Sequence, residues 1–283
     1  MIKEFARAKI NLTLDILDKR ADGFHNIETI MQTIELADVV ELETADEISL
    51  KIIGNDTLPT DEKNLAYRAV LEVQKFCKKN FGASITLTKN IPVAAGLAGG
   101  SSDAAAVIRG LNQLYDLNLS VKEMCKIGAA IGSDVPFCIS GGTCFASGRG
   151  EKLKQLKDLD TFTVVLIKPY DEIYTEWAYK AYDEKPATVH PPTADIVKLL
   201  NKKNYDEAFK LFANVLEPVV LKRNSQIRSY KSFLQRSNTK FAAMSGSGSA
   251  LFALTDEATA ARIRKNFTGR AQFFITKTFG KVI

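Results

Sequence analysis

Apolar positions along the chain alternate in some stretches and recur every third or fourth residue in others. Ile10, Leu12, Leu14 and Ile16 share one side of an alternating pattern, which predicts a strand over 10–16. The segments 39–43 and 48–53 flank the polar run Thr44-Ala-Asp-Glu47, the pattern of a hairpin. Leu65, Ala69, Val73 and Phe76–Cys77 mark a helix face, with Gly82 as its expected terminator. Ile85 and Leu87 predict a short strand. Ala104, Val107, Ile108, Leu111 and Leu114 predict a helix. Another begins at Ser120, where Glu123 completes a capping-box pattern, and ends near Gly132. The glycine-rich stretch 141–151 reads as a turn between strands.

Beyond a polar stretch, Glu151-Lys-Leu-Lys-Gln-Leu-Lys-Asp-Leu-Asp160, a buried strand is expected over 162–167, ending at Pro169. Helical patterns cover 175–183, 193–217, 222–236 and 257–267. Strands are expected at 241–244, 251–254 and 271–279. Strands and helices mix without strict alternation, which argues an α/β (α+β) chain in two parts, 1–157 and 158–283.

With 283 residues, 46% hydrophobic and 25% charged, the chain is long and apolar enough for a core without disulfides. Cys77, Cys125, Cys138 and Cys144 form no Cys-x-x-Cys pair and read as buried thiols in a reducing compartment. The start, Met1-Ile-Lys-Glu-Phe-Ala-Arg7, lacks a secretory apolar region, and no apolar run reaches the ~20 residues of a membrane span. A cytoplasmic protein is expected, with no membrane partner. The net charge of +5 comes from scattered basic residues, which suits an anionic ligand and gives no dense nucleic-acid stripe.

The chemistry concentrates in Pro92-Val-Ala-Ala-Gly-Leu-Ala-Gly-Gly-Ser-Ser-Asp103. Gly96, Gly99 and Gly100 allow close backbone approach, and Ser101, Ser102 and Asp103 make a polar helix start. Glycines leading into a helix N-terminus form an anion site, most often for phosphate; the plainer reading is a loop with a good cap. The turn holds no lysine, so it is not a Gly-x-x-x-x-Gly-Lys-Ser/Thr loop, and it lacks Gly-x-Gly-x-x-Gly.

This turn resembles the nucleotide motif of the galactokinase, homoserine kinase, mevalonate kinase and phosphomevalonate kinase superfamily. Ala6-Arg-Ala-Lys-Ile-Asn-Leu12 resembles its N-terminal motif, and Met244-Ser-Gly-Ser-Gly-Ser249 its C-terminal glycine turn. The three motifs occur in order and span the chain. Two further segments, Arg20-Ala-Asp-Gly-Phe-His-Asn26 and Ile131-Gly-Ser-Asp-Val-Pro-Phe137, resemble the branch that phosphorylates a cytidine-diphosphate-linked methylerythritol. Ala95 and Ala98 stand where many relatives carry glycine, and Phe24 where tyrosine is frequent.

The resemblance implies two sub-domains, one like the second domain of ribosomal protein S5 and one ferredoxin-like, with the site between them. It implies ATP and Mg²⁺. Asp134 is expected as general base and Lys9 as its cationic partner. Pro92 to Asp103, including Leu97 and Ala98, is expected to hold ATP, with Ser101 and Ser102 on the phosphates and Asn64, Leu65 and Lys89 near adenine. His25 would bond the cytosine, between Phe24 and Tyr179. Asn11 and Thr175 would meet the diphosphate or sugar alcohol, and Gly246, Ser247 and Gly248 would wall the cleft. On the residues alone, Phe24–His25 reads rather as a hairpin tip, Asp134 as a turn cap and Lys9 as a solvated strand residue, and Tyr179 equally as helix core. A sister kinase, a non-catalytic nucleotide sensor and an RNA-binding module are the rival functions. The oligomeric state stays open between monomer and weak homodimer.

Overall fold

The computed structural model describes all 283 residues. The first half forms one six-stranded sheet. Strand β1 (Ile2–Lys19) runs antiparallel to the long β2 (His25–Ala45). On its other edge β2 pairs with β4 (Gly82–Thr88) at one end and β5 (Thr143–Gly148) at the other. Strands β3 (Ile48–Ile53) and β6 (Lys152–Gln155) close the two flanks. Helices α1 (Leu65–Cys77), α2 (Gly99–Leu114), α3 (Val121–Ile131) and the short α4 (Val135–Ser140) cover this sheet with a core that includes Val70, Ile85, Ile108 and Ile139.

The expected hairpin over 39–53 is not a paired hairpin. Strand β4 lies between β2 and β3, antiparallel to one and parallel to the other. Gly82 does not end α1. The left-handed residue there is Lys78 (φ 52°), and Gly82 opens β4, where a Cβ would fall 2.4 Å from the Ala45 carbonyl. The stretch 141–151 is mostly strand β5, and Thr143, Cys144 and Ala146 bury side chains there. The capping box of α3 forms as the spacing requires, with Ser120 and Glu123 each bonding the other's backbone.

The second half carries an antiparallel sheet of β7 (Thr163–Pro169), β8 (Phe241–Met244), β9 (Leu251–Thr255) and β10 (Ala271–Lys277), in the order β10-β7-β9-β8, the ferredoxin-like arrangement. Strand β7 is buried on both faces, Val164 and Leu166 toward one core and Val165 and Ile167 toward another. Its unbroken apolar run follows from that. Helices α5 (Thr175–Glu184), α6 (Thr193–Asn201), α7 (Tyr205–Leu211), α8 (Glu217–Arg223), α9 (Ser225–Arg236) and α10 (Glu257–Asn266) complete it. The helix expected over 193–217 is broken at Asn201-Lys-Lys-Asn204, with Lys203 left-handed (φ 57°). Ala213 and Val215 then bond the backbone of Leu14 in β1.

The halves share a core. Ala8, Ile10 and Leu12 of β1 pack with Val164, Leu166, Phe252 and Leu254 of the second half. The opposite face of β1 carries Lys9, Asn11 and Thr13, buried but polar, flanked by register shifts at 7/9 and 11/13. Alternation puts Lys9 and Asn11 on one side, where they face the cleft between the halves, while Thr13 beyond the second bulge is buried, its hydroxyl accepting from the Ile30 amide.

Candidate active site

A single cavity of ≈ 1000 Å³ fills that cleft. Its wall includes Lys9, Asn11, His25, Asn64, Leu65, the turn from Pro92 to Ser101, Asp134, Thr175, Tyr179, Gly246 and Ser247. Six Lys or Arg side chains line it against four Asp or Glu, a balance that favours a polyanion.

The phosphate turn ends in Ala98, left-handed at φ 59° and ψ 31°, and α2 starts at Gly99. The first amide of the helix that bonds backward is Ser102, to the Ala98 carbonyl. The amides of Gly99, Gly100 and Ser101 have no acceptor in the chain and stand at the positive end of a 16-residue helix. Alanine at 98 thus occupies a conformation that glycine would hold more cheaply. Asn64 caps α1, its Oδ1 accepting from the Ala66 amide and its Nδ2 donating to the Pro59 carbonyl.

One expectation for this turn needs correction. Ser102 does not face the cavity. Its hydroxyl donates to the Arg7 carbonyl at 2.7 Å, and the residue is buried against Cys138. Lys89 lines the cavity, but its ammonium is already committed. It is buried between Asp38 and Asp103, with Asp103 at 2.6 Å. Burial works against the Lys89 ammonium, but the two carboxylates outweigh it and hold it above its ordinary value. Burial pushes the Asp103 carboxyl up to about 8, against the pull of Lys89. Asp38 also accepts from the Asn90 amide and, at 2.7 Å, from the Ile91 amide, so the triad anchors the segment leading into the turn. Gly96 and Leu97 line the cavity and also join the turn to its surroundings. Leu97 packs its side chain in the shared core and gives its carbonyl to the Lys9 amide. A Cβ on Gly96 would lie 2.2 Å from the Ser245 carbonyl. Gly96 therefore permits contact between the two glycine turns.

Across the cavity, Lys9 Nζ lies 3.5 Å from Asp134 Oδ2 and 2.6 Å from Asn11 Oδ1. The Lys9 side chain is 5% exposed and that of Asp134 34%, so the carboxylate is the member open to a ligand. Asp134 occupies the N-cap position of α4 but caps nothing, which leaves its oxygens free of that structural duty. The Asn11 amide is committed inside the wall. Its Nδ2 donates to Thr29 Oγ1, which donates to the Thr13 carbonyl, so Oδ1 must face Lys9. Its backbone amide donates to Ser245 Oγ, and that hydroxyl donates to the Gly96 carbonyl. Gly246 brings the second turn against Asn11, where a Cβ would sit 3.2 Å from Oδ1. Thr175 Oγ1 and Ser247 Oγ are 2.9 Å apart and tie the start of α5 to that turn. Gly248 is not in the cavity wall; it lies behind, against Met244 and Gly96.

At the far end, His25 packs its ring 5.0 Å from Tyr179, tilted by 34°. Burial raises the Tyr179 phenol above its ordinary range. Phe24 is half exposed, with the Arg149 guanidinium 5.2 Å above its ring. Sequence reasoning missed Arg149, Lys19 and Asp183. Arg149 sits between Gly148 and Gly150, a signal read only as a turn. Asp183 accepts from His25 Nε2 at 2.7 Å and from Lys19 Nζ at 2.6 Å, and the Lys19 bond holds its carboxyl below the usual range.

Comparisons with known proteins agree with this architecture. Residues 64–142 match the GHMP kinases N terminal domain and residues 196–271 the GHMP kinases C terminal domain. These two matches define the class, that of the GHMP kinases. The 4-diphosphocytidyl-2-C-methyl-D-erythritol kinase of Carboxydothermus hydrogenoformans is 47% identical over 277 residues, covering 97% of this chain and 96% of the relative. That of Bacillus pumilus is 45% identical over 258 residues, covering 89% and 88%. A crystal structure of 4-(cytidine 5'-diphospho)-2C-methyl-D-erythritol kinase superposes with TM-score 0.83 at 28% identity over 99% of this chain and 100% of that one. Homoserine kinase from Cytophaga hutchinsonii, at TM-score 0.76 and 20% identity over 99% and 95%, shares the fold. The chain belongs to the 4-diphosphocytidyl-2-C-methyl-D-erythritol kinase family. No helix is long and apolar enough to cross a membrane.

Proposed function

We propose that this protein transfers the γ-phosphoryl group of ATP to the 2-hydroxyl of 4-diphosphocytidyl-2-C-methyl-D-erythritol, in the non-mevalonate route to isoprenoid precursors. The observation that carries the reading is one cavity with free helix-start amides, a buried lysine–aspartate pair and an aromatic–histidine end, in a chain 47% identical to a kinase of that name. Residues 1–157 would supply most of the ATP site, and residues 158–283 part of the acceptor site. The four free cysteines fit a reducing, cytoplasmic setting.

The amides of Gly99, Gly100 and Ser101 would bind the phosphates through their hydrogens and the helix dipole. Asn64, Leu65 and Pro92 would bound the adenine side. His25, Phe24 and Tyr179 would hold the cytosine. Thr175, Gly246 and Ser247 would border the sugar alcohol, and Arg149 would offer charge to the diphosphate. Asp134 would take the proton from the acceptor hydroxyl as its oxygen attacks the γ-phosphorus and the bond to ADP breaks. Lys9, fixed by Asn11, would keep Asp134 ionised and oriented and would lie beside the developing charge.

The donor set fits Mg²⁺ held chiefly by phosphate oxygens. No three acidic, His or Cys side chains converge, while the Ser101 hydroxyl is unbonded and Asp103 carries a buried oxygen without a partner in the same helical turn. Ser101 would be the protein group nearest the ion, which when bound neutralises phosphate charge.

The test is ADP release with Mg-ATP and the cytidine-linked acceptor. The wild type should turn over, and Asp134→Asn should lose ~10²–10⁴-fold in kcat while still binding ATP. Turnover of mevalonate or homoserine in place of the cytidine-linked acceptor would overturn the substrate, and full activity of Asp134→Asn would overturn the base.

A further inference from the structure

His25 is wired more tightly than base contact alone requires. It opens β2 directly across from Lys19, the last residue of β1. Tyr179 and Asp183 stand four residues apart on α5 and therefore on one face of that helix. Tyr179 packs on the imidazole ring while Asp183 Oδ1 meets Nε2 at 2.7 Å. The second oxygen of Asp183 is bonded by Lys19 Nζ at 2.6 Å. A carboxylate only accepts, so Nε2 must carry the hydrogen. In a neutral imidazole the other nitrogen is then a bare acceptor. Nδ1 makes no hydrogen bond within the chain, and His25 forms part of the cavity wall.

We infer that Asp183, paired with Lys19, fixes the Nε2–H tautomer of His25 and so makes the site select a base with an amino group at position 4 over one with a carbonyl there. This rests on the proposed cytidine acceptor. Cytosine presents an N–H donor to the bare Nδ1. Uracil presents a second lone pair, and the two acceptors face each other in a buried site. An unmet polar pair of that kind separates the two nucleotides by ~10²-fold or more in kcat/KM. Asp183 touches neither substrate in this scheme. It is a positioning residue that acts through His25.

The experiment has two arms. The chain has two histidines, so long-range ¹⁵N–¹H correlation on ¹⁵N-histidine protein at about pH 8 resolves the His25 ring directly. The expected spectrum has a protonated Nε2 and a bare Nδ1. Kinetics then compare the cytidine- and uridine-linked acceptors for wild type, Asp183→Asn and Asp183→Glu. An amide can either accept from or donate to Nε2, so Asp183→Asn admits both tautomers. Its cytidine preference should fall at least about tenfold, with the KM for ATP unchanged, and Asp183→Glu should recover most of it. A wild-type His25 protonated on Nδ1, or an Asp183→Asn enzyme that slows equally on both acceptors, would overturn the inference. A wild type that phosphorylates neither acceptor would overturn the proposed function itself, whatever the tautomer.

Discussion

Replacing Gly96 by alanine tests whether the two glycine turns must touch for the enzyme to work. The new Cβ would lie 2.2 Å from the Ser245 carbonyl oxygen and 3.2 Å from that of Gly248, at a φ of +74°. Both neighbours are backbone, so no side chain can swing away. Restoring a contact of ~3.5 Å requires the turns to part by about 1 Å. The left-handed backbone costs alanine ~1–2 kcal/mol, and its lower unfolded-state entropy returns ~0.5–1 of that. Overpacking adds ~1–3 kcal/mol. A net loss of ~1–4.5 kcal/mol, at an unfolding entropy of ~2 cal/mol/K per residue, lowers Tm by about 2–8 °C. The kinetic effect follows from what the contact carries. Ser245 Oγ bridges the Gly96 carbonyl and the Asn11 amide, and Asn11 orients Lys9. Parting the turns by about 1 Å moves the free amides of Gly99–Ser101 away from Lys9 and Asp134, a displacement of the size that costs ~10²-fold in rate. Differential scanning calorimetry and steady-state ADP release measure both. A Gly96→Ala enzyme that melts within about 1 °C of wild type and keeps kcat within about threefold would refute the reasoning.

Two further outcomes follow from the buried triad. Lys89→Met leaves the Asp38 carboxylate buried without its cation and should cost ~3–5 kcal/mol in denaturant unfolding; an unchanged midpoint with a raised KM for ATP would instead make Lys89 a nucleotide contact. Asp103, raised in the folded protein to about 8, binds a proton there that the unfolded chain (~3.9) releases. Its contribution is full below pH ~4 and is lost as pH rises through about 8, so Tm should fall across that window and fall less in Asp103→Asn; parallel slopes would contradict this.

The contrast between the phosphate cradle and the base-reading end says what a single sequence can carry. The cradle was legible because its donors are consecutive. Glycines followed by a helix start present the amides of Gly99, Gly100 and Ser101 whatever lies elsewhere. Side chains in the same segment were not legible, because a side chain's direction depends on what packs against it. Ser102 turns inward to a carbonyl on β1, and Asp103 turns toward Lys89. The hairpin expected over 39–53 failed for a related reason. Alternation identifies strands but not neighbours, and β4, thirty residues on, fits between β2 and β3.

His25 is the sharpest case. Its ring was a candidate from its motif, yet nothing near it says which nitrogen holds the proton. That choice belongs to Asp183, 158 residues away on α5, where Asp-Glu after a Tyr-rich helix is an ordinary solvated ending. The same helix supplies the ring of Tyr179 one turn earlier. A site that tells one base from another by a single donor therefore depends on α5 docking in one register against β1 and β2. Contacts remote from the base should govern selectivity through that docking. The Leu14 backbone, pinned by Ala213 and Val215 from the second half, and the shared core of Ile10 with Val164 hold the halves in place. Disturbing them should therefore blur base choice before it abolishes phosphate binding, because the cradle is built within one half and the base-reading end is built across both.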